Sequence, residues 1–280
     1  MARSTSIDGY GLRGLTARLA RFARVWAFAG AVLVTMPVRA IDLYVSTNAS
    51  PQAPYATWAT AFTNLQEALD HAGDGDTIRL AGERFSGAPA PGNDFVFRLI
   101  DRKNLTMIGG YQADGDSPGP NDPEQWPTEI ARSEGDARVL NLESVSNLTI
   151  RSVIIRDGWL RGTAAMKGGG LLMSGCHEVT FDNVHVVANK INGGDSSRGG
   201  GMSLIDSQLT MTNGRVDGNE LRYESGVLGN YSRGGGMSLD NSQVVMNRGT
   251  ISSNLVHPNR NGSGGGVYLG SASVMTVSNA

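Results

Sequence analysis

The residues best suited to chemistry in this chain are acids, one thiol and a few aromatic rings, and they are scattered. Glu178, Asp182 and His185 lie close together in sequence, with Arg156 and Asp157 one repeat earlier, as the nearest approach to a mixed acid–base cluster. Cleavage of a glycosidic bond needs two carboxylates facing each other across a sugar, and a calcium-assisted route needs several acids on one cation. Asp157, Asp182, Asp206, Asp217 and Asp240 fall in different repeats at unequal offsets, a spacing that favours solvated turn acids. Cys176 stands beside His177, but no third group is at hand to orient the pair, so a buried corner thiol is expected. Tyr223, Tyr231, Tyr268 and Trp159 offer either a sugar-stacking row or isolated packing aromatics. Phosphate-loop, metalloprotease and nucleophile-elbow motifs do not occur, and one Cys with four His makes no zinc cluster. No cofactor and no metal are expected.

Any such side chains must be held by a repeating framework. Glycine triplets stand at Gly168-Gly169-Gly170, Gly199-Gly200-Gly201, Gly234-Gly235-Gly236 and Gly264-Gly265-Gly266, spaced by 31, 35 and 30 residues. A short apolar segment follows each, beginning at Leu171, Met202, Met237 and Val267. A second follows at Val179-Thr180-Phe181, Leu209-Thr210-Met211, Val244-Val245-Met246 and Met275-Thr276-Val277, and a third joins Val186 to Asn189, Val216 to Asn219 and Ile251 to Asn254. Apolar-Thr-apolar alternation is the period of a strand. Upstream, Leu105-Thr106-Met107 and Leu148-Thr149-Ile150 continue the pattern.

Units of three short strands cannot bury their apolar faces singly, but stacked in parallel they can. The predicted fold is therefore all-β, a single-stranded right-handed parallel β-helix solenoid over residues 139–280, filled by Val, Leu, Ile and Met. The glycine triplets are expected at its corners, where the backbone turns sharply or takes positive φ. Asn189, Asn219 and Asn254 are expected to form an inward-stacked ladder, in preference to serving only as turn formers. Polar inserts of unequal length, Lys190 to Arg198, Glu220 to Arg233 and Leu255 to Ser263, are expected to project on one side.

Residues 41–110 read as an N-terminal cap and first coil. Phe62, Leu65, Ala68, Leu69 and Ala72 predict a capping helix from about Phe62 to Ala72, with Thr63 and Gln66 as a capping box. Residues 111–138, with four Pro, read as an acidic loop.

The first forty residues change the charge balance. Five Arg precede an apolar run, Val25 to Val38, that ends at Val38-Arg39-Ala40, the pattern of a secretory signal peptide over residues 1–40. The run is too short for a membrane span, so no transmembrane segment is expected after cleavage. Removing six of the 24 basic and one of the 26 acidic residues leaves 18 and 25, a net charge of −7 in place of −2. No basic stripe remains for phosphates, which argues against nucleic acid as a partner. Glycine, 38 of 280 residues, is about twice its usual share.

Tyr44-Val45, Trp58-Ala59-Thr60-Ala61-Phe62, Leu65-Gln66-Glu67-Ala68-Leu69, Gly75-Asp76-Thr77-Ile78 and Ile108-Gly109-Gly110-Tyr111, followed by the triplet coils, carry a resemblance. Residues 41–280 resemble the secreted right-handed parallel β-helix, or pectin-lyase-like, proteins of bacteria, above all those with polymorphic-outer-membrane-protein-type repeats. The Gly-Gly-apolar element of those repeats is matched at Gly169-Gly170-Leu171, Gly200-Gly201-Met202, Gly235-Gly236-Met237 and Gly265-Gly266-Val267. Their Phe-x-x-Asn element is not, since Val186, Val216 and Ile251 stand where Phe would. The resemblance implies an exported scaffold, extracellular or at the outer-membrane surface, with adhesion or contact to a polysaccharide or host-surface ligand carried by the inserts. It also implies further coils or an anchor beyond Ala280. The rival it brings is a lyase or hydrolase of acidic polysaccharide, but no Asn-Thr-Asp, Asp-Asp, Ser-His-Gly or Trp-x-Asp-His run occurs, and the scaffold is preferred.

Overall fold

The computed structural model describes residues 40–115, 117–223, 231–257 and 261–279. The signal-peptide expectation falls outside them except at Ala40, as do the middles of the second and third inserts. No helix among the described residues is long and apolar enough to cross a membrane.

The chain winds as a right-handed parallel β-solenoid. Its long sheet stacks eight strands in sequence order: Asp42–Val45, Thr77–Ala81, Lys103–Tyr111, Ser146–Arg156, Val179–Val187, Gln208–Thr212, Gln243–Asn247 and Val274–Ser278. A second sheet stacks Phe95–Ile100, Arg138–Glu143, Leu171–Ser174, Met202–Ile205, Met237–Asp240 and Val267–Leu269. Between them inward side chains form unbroken columns, such as Leu148, Val179, Leu209 and Val244, or Leu140, Leu171, Met202 and Met237. These residues are at most 2% exposed, so the strand period seen in sequence is the period of core entry.

The long sheet bends along a column of left-handed residues, Ser152, Asn183, Asn213 and Arg248, with φ between 51° and 54° on neighbouring rungs. Past the bend, Arg215–Asp217 and Thr250–Ser252 continue the second halves of Ser146–Arg156 and Val179–Val187. A further corner leads into a third sheet, Trp159–Arg161, Lys190–Gly193, Glu220–Tyr223 and Leu255–His257. This wing has its own small core of Leu160, Ile191 and Leu221, with Met166 and Val256 packed on it. The inserts expected to project as variable loops therefore begin as stacked strands.

Asn189, Asn219 and Asn254 stand at the corner between the long sheet and the wing. Each Nδ2 donates to a carbonyl one rung earlier, Ile155, Val186 and Val216 respectively, at 3.1, 2.9 and 2.8 Å. The Nδ2 groups of Asn189 and Asn219 also donate to the next amide Oδ1, each at 3.0 Å. The same oxygens accept the backbone N–H of Asn189 and Asn219, again at 3.0 Å. Every hydrogen-bonding site of the fully buried Asn219 amide is thus engaged. At the head of the column Gly158 stands where an Asn would be, and its N–H donates to Asn189 Oδ1.

The glycine triplets lie against this ladder, and their three positions are glycine for different reasons. The first, at Gly168, Gly199, Gly234 and Gly264, takes φ of 63°, 67°, 70° and 66°, where a side chain is strained. In the second, a Cβ on Gly200 would lie 2.4 Å from the Gly235 carbonyl oxygen of the next rung. In the third, a Cβ on Gly170 or Gly201 would lie 2.5 or 2.7 Å from the Asn189 or Asn219 amide. Gly169, Gly235 and Gly236 are closed in the same way, while around Gly265 and Gly266, on the last described rung, the nearest atoms are 3.3 Å off. Positive φ, one of the two reasons expected for the triplets, belongs only to their first glycines. Most other corners use non-glycine residues, Asp206, Asn241, Ala188 and Ala272 among them.

At the N-terminal end the capping helix is shorter than the apolar spacing predicts, Leu65–His71. Its N-cap is Asn64, whose Oδ1 accepts from Gln66 and Glu67, in place of the expected Thr63–Gln66 box. Gln66 clamps the edge of the second sheet, accepting the Arg98 N–H and donating to the Arg98 carbonyl. The segment around Tyr55 and Phe62 bonds the outer edge of Asp42–Val45. Both edges at this end are thereby covered. Residues 41–110 hold three rungs of the long sheet, more than the single coil expected. The stretch 111–138, expected as a loop, contains the strand Thr128–Arg132, which pairs with Arg84–Gly87 and Ser146–Arg156.

Truncation Asn219→Ala removes four buried hydrogen bonds and is expected to cost about 2–4 kcal/mol in urea unfolding. Gly200→Ala meets backbone and is expected to destabilise severely. Gly218→Ala has open space and Ala188 at the equivalent place with φ 54°, so its cost is expected to be only about 1 kcal/mol. Equal effects of the two glycine substitutions would refute the assignment of backbone contact as the cause.

Candidate functional site

The stacking distributes the candidate chemical residues over separate columns. Glu178 faces out from the long sheet before its bend. Asp182 lies 3.9 Å from Arg151 and accepts from Asn213 at 3.4 Å. His185 is past the left-handed corner at Asn183, and burial, helped by the charge of Arg215, pushes its pKa down. Arg156 and Asp157 pair with each other and with two residues that sequence reading missed, Arg84 and Glu129, at 2.8–3.2 Å. Asp206 accepts from Asn241, Asp217 from Arg215 and Ser252, and Asp240 from Arg198. No group of three or more His, Cys, Asp or Glu among the described residues is placed to hold a metal ion.

Charged groups past the bend form a connected seam. Arg84, Glu129, Arg156 and Asp157 open it. Arg132 donates to the Asp157 carbonyl and lies 5.7 Å from the Trp159 ring centroid, with Arg161 and Lys190 at 5.0 and 5.8 Å from the same ring. Arg161 pairs with Asp136, and Lys190 with Glu220, which also holds Arg222 and His257. Burial acts to raise the Glu220 carboxyl, but hydrogen bonds from Lys190 and Arg222 outweigh it and keep it below the usual carboxylate range. Asp217 is held down by the Ser252 hydroxyl and by Arg215. All four acids of the seam, Glu129, Asp136, Asp157 and Glu220, are paired, and its six arginines and lysines leave an excess of positive charge.

The aromatic residues do not assemble into one stacking row. Trp159 is approached by Arg161 and Lys190 on the wing and by Arg132 on Thr128–Arg132, while Tyr231 and Tyr268 hold the Arg233 guanidinium at 5.1 and 4.9 Å.

Cys176 belongs to a second polar ladder that the sequence reading did not identify. Its N–H donates to Ser207 Oγ at 3.1 Å, the Ser207 N–H to Ser242 Oγ at 3.0 Å, and the Ser242 N–H to Ser273 Oγ at 3.2 Å. The thiol takes the place of a hydroxyl, donating weakly to the Leu142 and Ser174 carbonyls, and burial raises its pKa. The signal was legible: Cys176, Ser207, Ser242 and Ser273 follow one another at 31, 35 and 31 residues, almost the triplet spacing.

A groove of about 450 Å³ lies on the outer face of the long sheet, and another of the same volume lies at the N-terminal end among Ile41, Asp42, Tyr44, Pro54 and Thr77. The polar lining of the first is Asn147, Glu178, Thr180, Gln208, Thr210 and Gln243. A minute interior void among Leu69, Ile78, Leu99 and Leu105 has an almost wholly apolar lining and is part of the core.

Compared with known proteins, the chain matches no family model, no curated protein and no solved structure.

Two outcomes follow from the ionised and buried groups. The depressed carboxyls of Glu220 and Asp217 stabilise the fold above the unfolded carboxylate pKa of about 4, and that contribution is lost as pH falls through their lower folded values. Glu220→Gln is expected to flatten the fall in urea midpoint between about pH 5 and 3. Cys176 is expected to resist thiol reagents at pH 8 until the solenoid unfolds, and rapid labelling of the folded protein would contradict its place in the ladder.

Proposed function

We propose that the protein is an exported scaffold, extracellular or at the cell surface, that serves in adhesion through contact with carbohydrate. The observation that carries this reading is the wing. Inserts that differ in length and sequence nevertheless begin in register, Lys190 beside Glu220 beside Leu255, and share a core. An ordered surface is thus added outside the main solenoid, on segments whose composition is otherwise free to vary. The charge seam supports the same reading, since its acids are already engaged by arginines and lysines and do not face one another across an open cleft. The leader-like first forty residues and the resemblance to pectin-lyase-like proteins with Gly-Gly repeats support export and an extracellular setting.

Incubation of the purified protein with a panel of immobilised polysaccharides, including polyuronates with and without calcium, tests this directly. Retention on at least one polysaccharide without a rise in absorbance from unsaturated sugar products is expected. Steady product formation from a polyuronate would overturn the scaffold in favour of a lyase.

A further inference from the structure

The outer face of the wing has two columns, set by strand alternation about the inward Leu160, Ile191, Leu221 and Val256. Trp159, Lys190, Glu220 and Leu255 form one, and Arg161, Asn192, Arg222 and His257 the other, one residue per rung. Arg161, Arg222, His257 and Leu255 are about half exposed. The first column therefore begins and ends on apolar side chains, Trp159 and Leu255, three rungs or about 14 Å apart, with charged groups between them.

The wing also differs in charge from the rest of the chain. On its face, and in the bordering segment where the Ala137 carbonyl accepts the Trp159 N–H, stand Arg132, Arg161, Lys190 and Arg222 against Glu134, Asp136 and Glu220. His257, 3.0 Å from Glu220, adds to the positive side when protonated. Across the corner Arg84 and Arg156 balance Glu129 and Asp157, and Arg215 balances Asp217. Beyond the wing Lys167, Arg198 and Arg233 precede the glycine triplets, with Asp195 and Asp240 as the acids on that side. The acid excess lies elsewhere, in residues 41–127, which hold five basic residues against twelve acids.

Beyond the carbohydrate contact proposed above, we infer that the outer face of the wing docks on an anionic phospholipid surface. Its arginine forks and the Lys190 ammonium match headgroup phosphates, and each basic group held at such a surface raises partition about fivefold. Trp159 and Leu255 suit the boundary between headgroups and acyl chains, where Trp and Leu side chains settle. That apolar pair selects a bilayer over a dissolved polyanion, which offers nothing to Leu255. The acidic coils of residues 41–127 are repelled by the same surface, so the wing is the side that turns toward it.

The test is cosedimentation of the purified protein with vesicles of phosphatidylglycerol and phosphatidylcholine in equal parts, at about 50 mM salt. Binding is expected there, with loss at about 0.5 M salt and none to phosphatidylcholine alone. Brominated lipid is expected to quench the tryptophan emission of the native protein but not that of Trp159→Phe. Arg161→Gln with Arg222→Gln is expected to weaken partition at least about tenfold with an unchanged unfolding midpoint. Leu255→Asp, at an exposed position, provides a second variant should the first not fold. Undiminished partition in a folded variant, equal binding to phosphatidylcholine, or quenching that persists in Trp159→Phe would overturn the docking face. Binding of dextran sulfate without binding to vesicles would assign the wing to a dissolved polyanion and likewise defeat the proposal. Absence of vesicle binding beside retention on a polysaccharide would overturn the membrane face alone, and absence of both would overturn it together with the carbohydrate reading.

Discussion

The rest of the solenoid depends on how closely one coil approaches the next at the corner where the glycine column meets the asparagine ladder. Parallel rungs are about 4.8 Å apart by virtue of their backbone hydrogen bonds. At this corner two stretches of backbone and a buried amide share that spacing, so a single methyl group on Gly170, Gly200 or Gly201 has nowhere to go. Glycine at those places costs backbone entropy of about 0.5–1 kcal/mol each relative to alanine. What offsets it is the asparagine column, in which each amide bonds both neighbours and the main chain. Polar groups so deeply buried are tolerable only when every donor and acceptor is engaged, and the repeat makes engagement automatic once two coils are in register.

The opposite corner solves the same problem with smaller groups. There a left-handed residue, Gly175, Asp206, Asn241 or Ala272, is followed by an inward Cys or Ser that accepts the N–H of the preceding rung or passes its own to the next. The common rule is one left-handed residue and then one inward polar side chain, with Asn where the turn opens toward the wing and Ser where the sheets face each other closely. Left-handed Ala188 and Ala272 show that the rule is enforced by the stack and not by local preference, since alanine does not favour that conformation alone. Register is therefore set by corners. The apolar columns between them fill space but would accept one another's positions.

Much of this could be read from the sequence because the repeat converts three-dimensional neighbours into fixed offsets. Leu209 and Val244 are adjacent in the core for the same reason that Gly199 and Gly234 are adjacent at the corner. The reading was weakest where the offset fails or where identity changes down a column. Thr128–Arg132 was hidden in a Pro-rich stretch because its partners, Arg84–Gly87 and Ser146–Arg156, are far from it by any regular spacing. The Ser ladder is hidden because its first member is Cys176, which reads alone as a buried corner thiol and breaks the column's identity. The Glu178, Asp182 and His185 group was close in sequence, yet the left-handed bend at Asn183 turns His185 onto a different facet. Sequence proximity misleads in a solenoid at its corners and nowhere else.

These constraints also bear on what kind of site such a molecule can carry. Inward positions are fixed by packing and corner positions by stacking, which leaves the outward side chains of each rung as the only freely variable chemistry. Those positions are arranged in lines, one residue per coil, and residues that would have to converge for catalysis must come from several lines at once. Here the charged lines past the bend are tied together by Arg84, Glu129, Arg156 and Asp157 into a neutralised strip. The threonine line before the bend is tied to nothing. A ligand that repeats along one axis can use such a line with no loop closing over it, each added coil contributing another equal contact, whereas a small ligand meets only one rung and gains little.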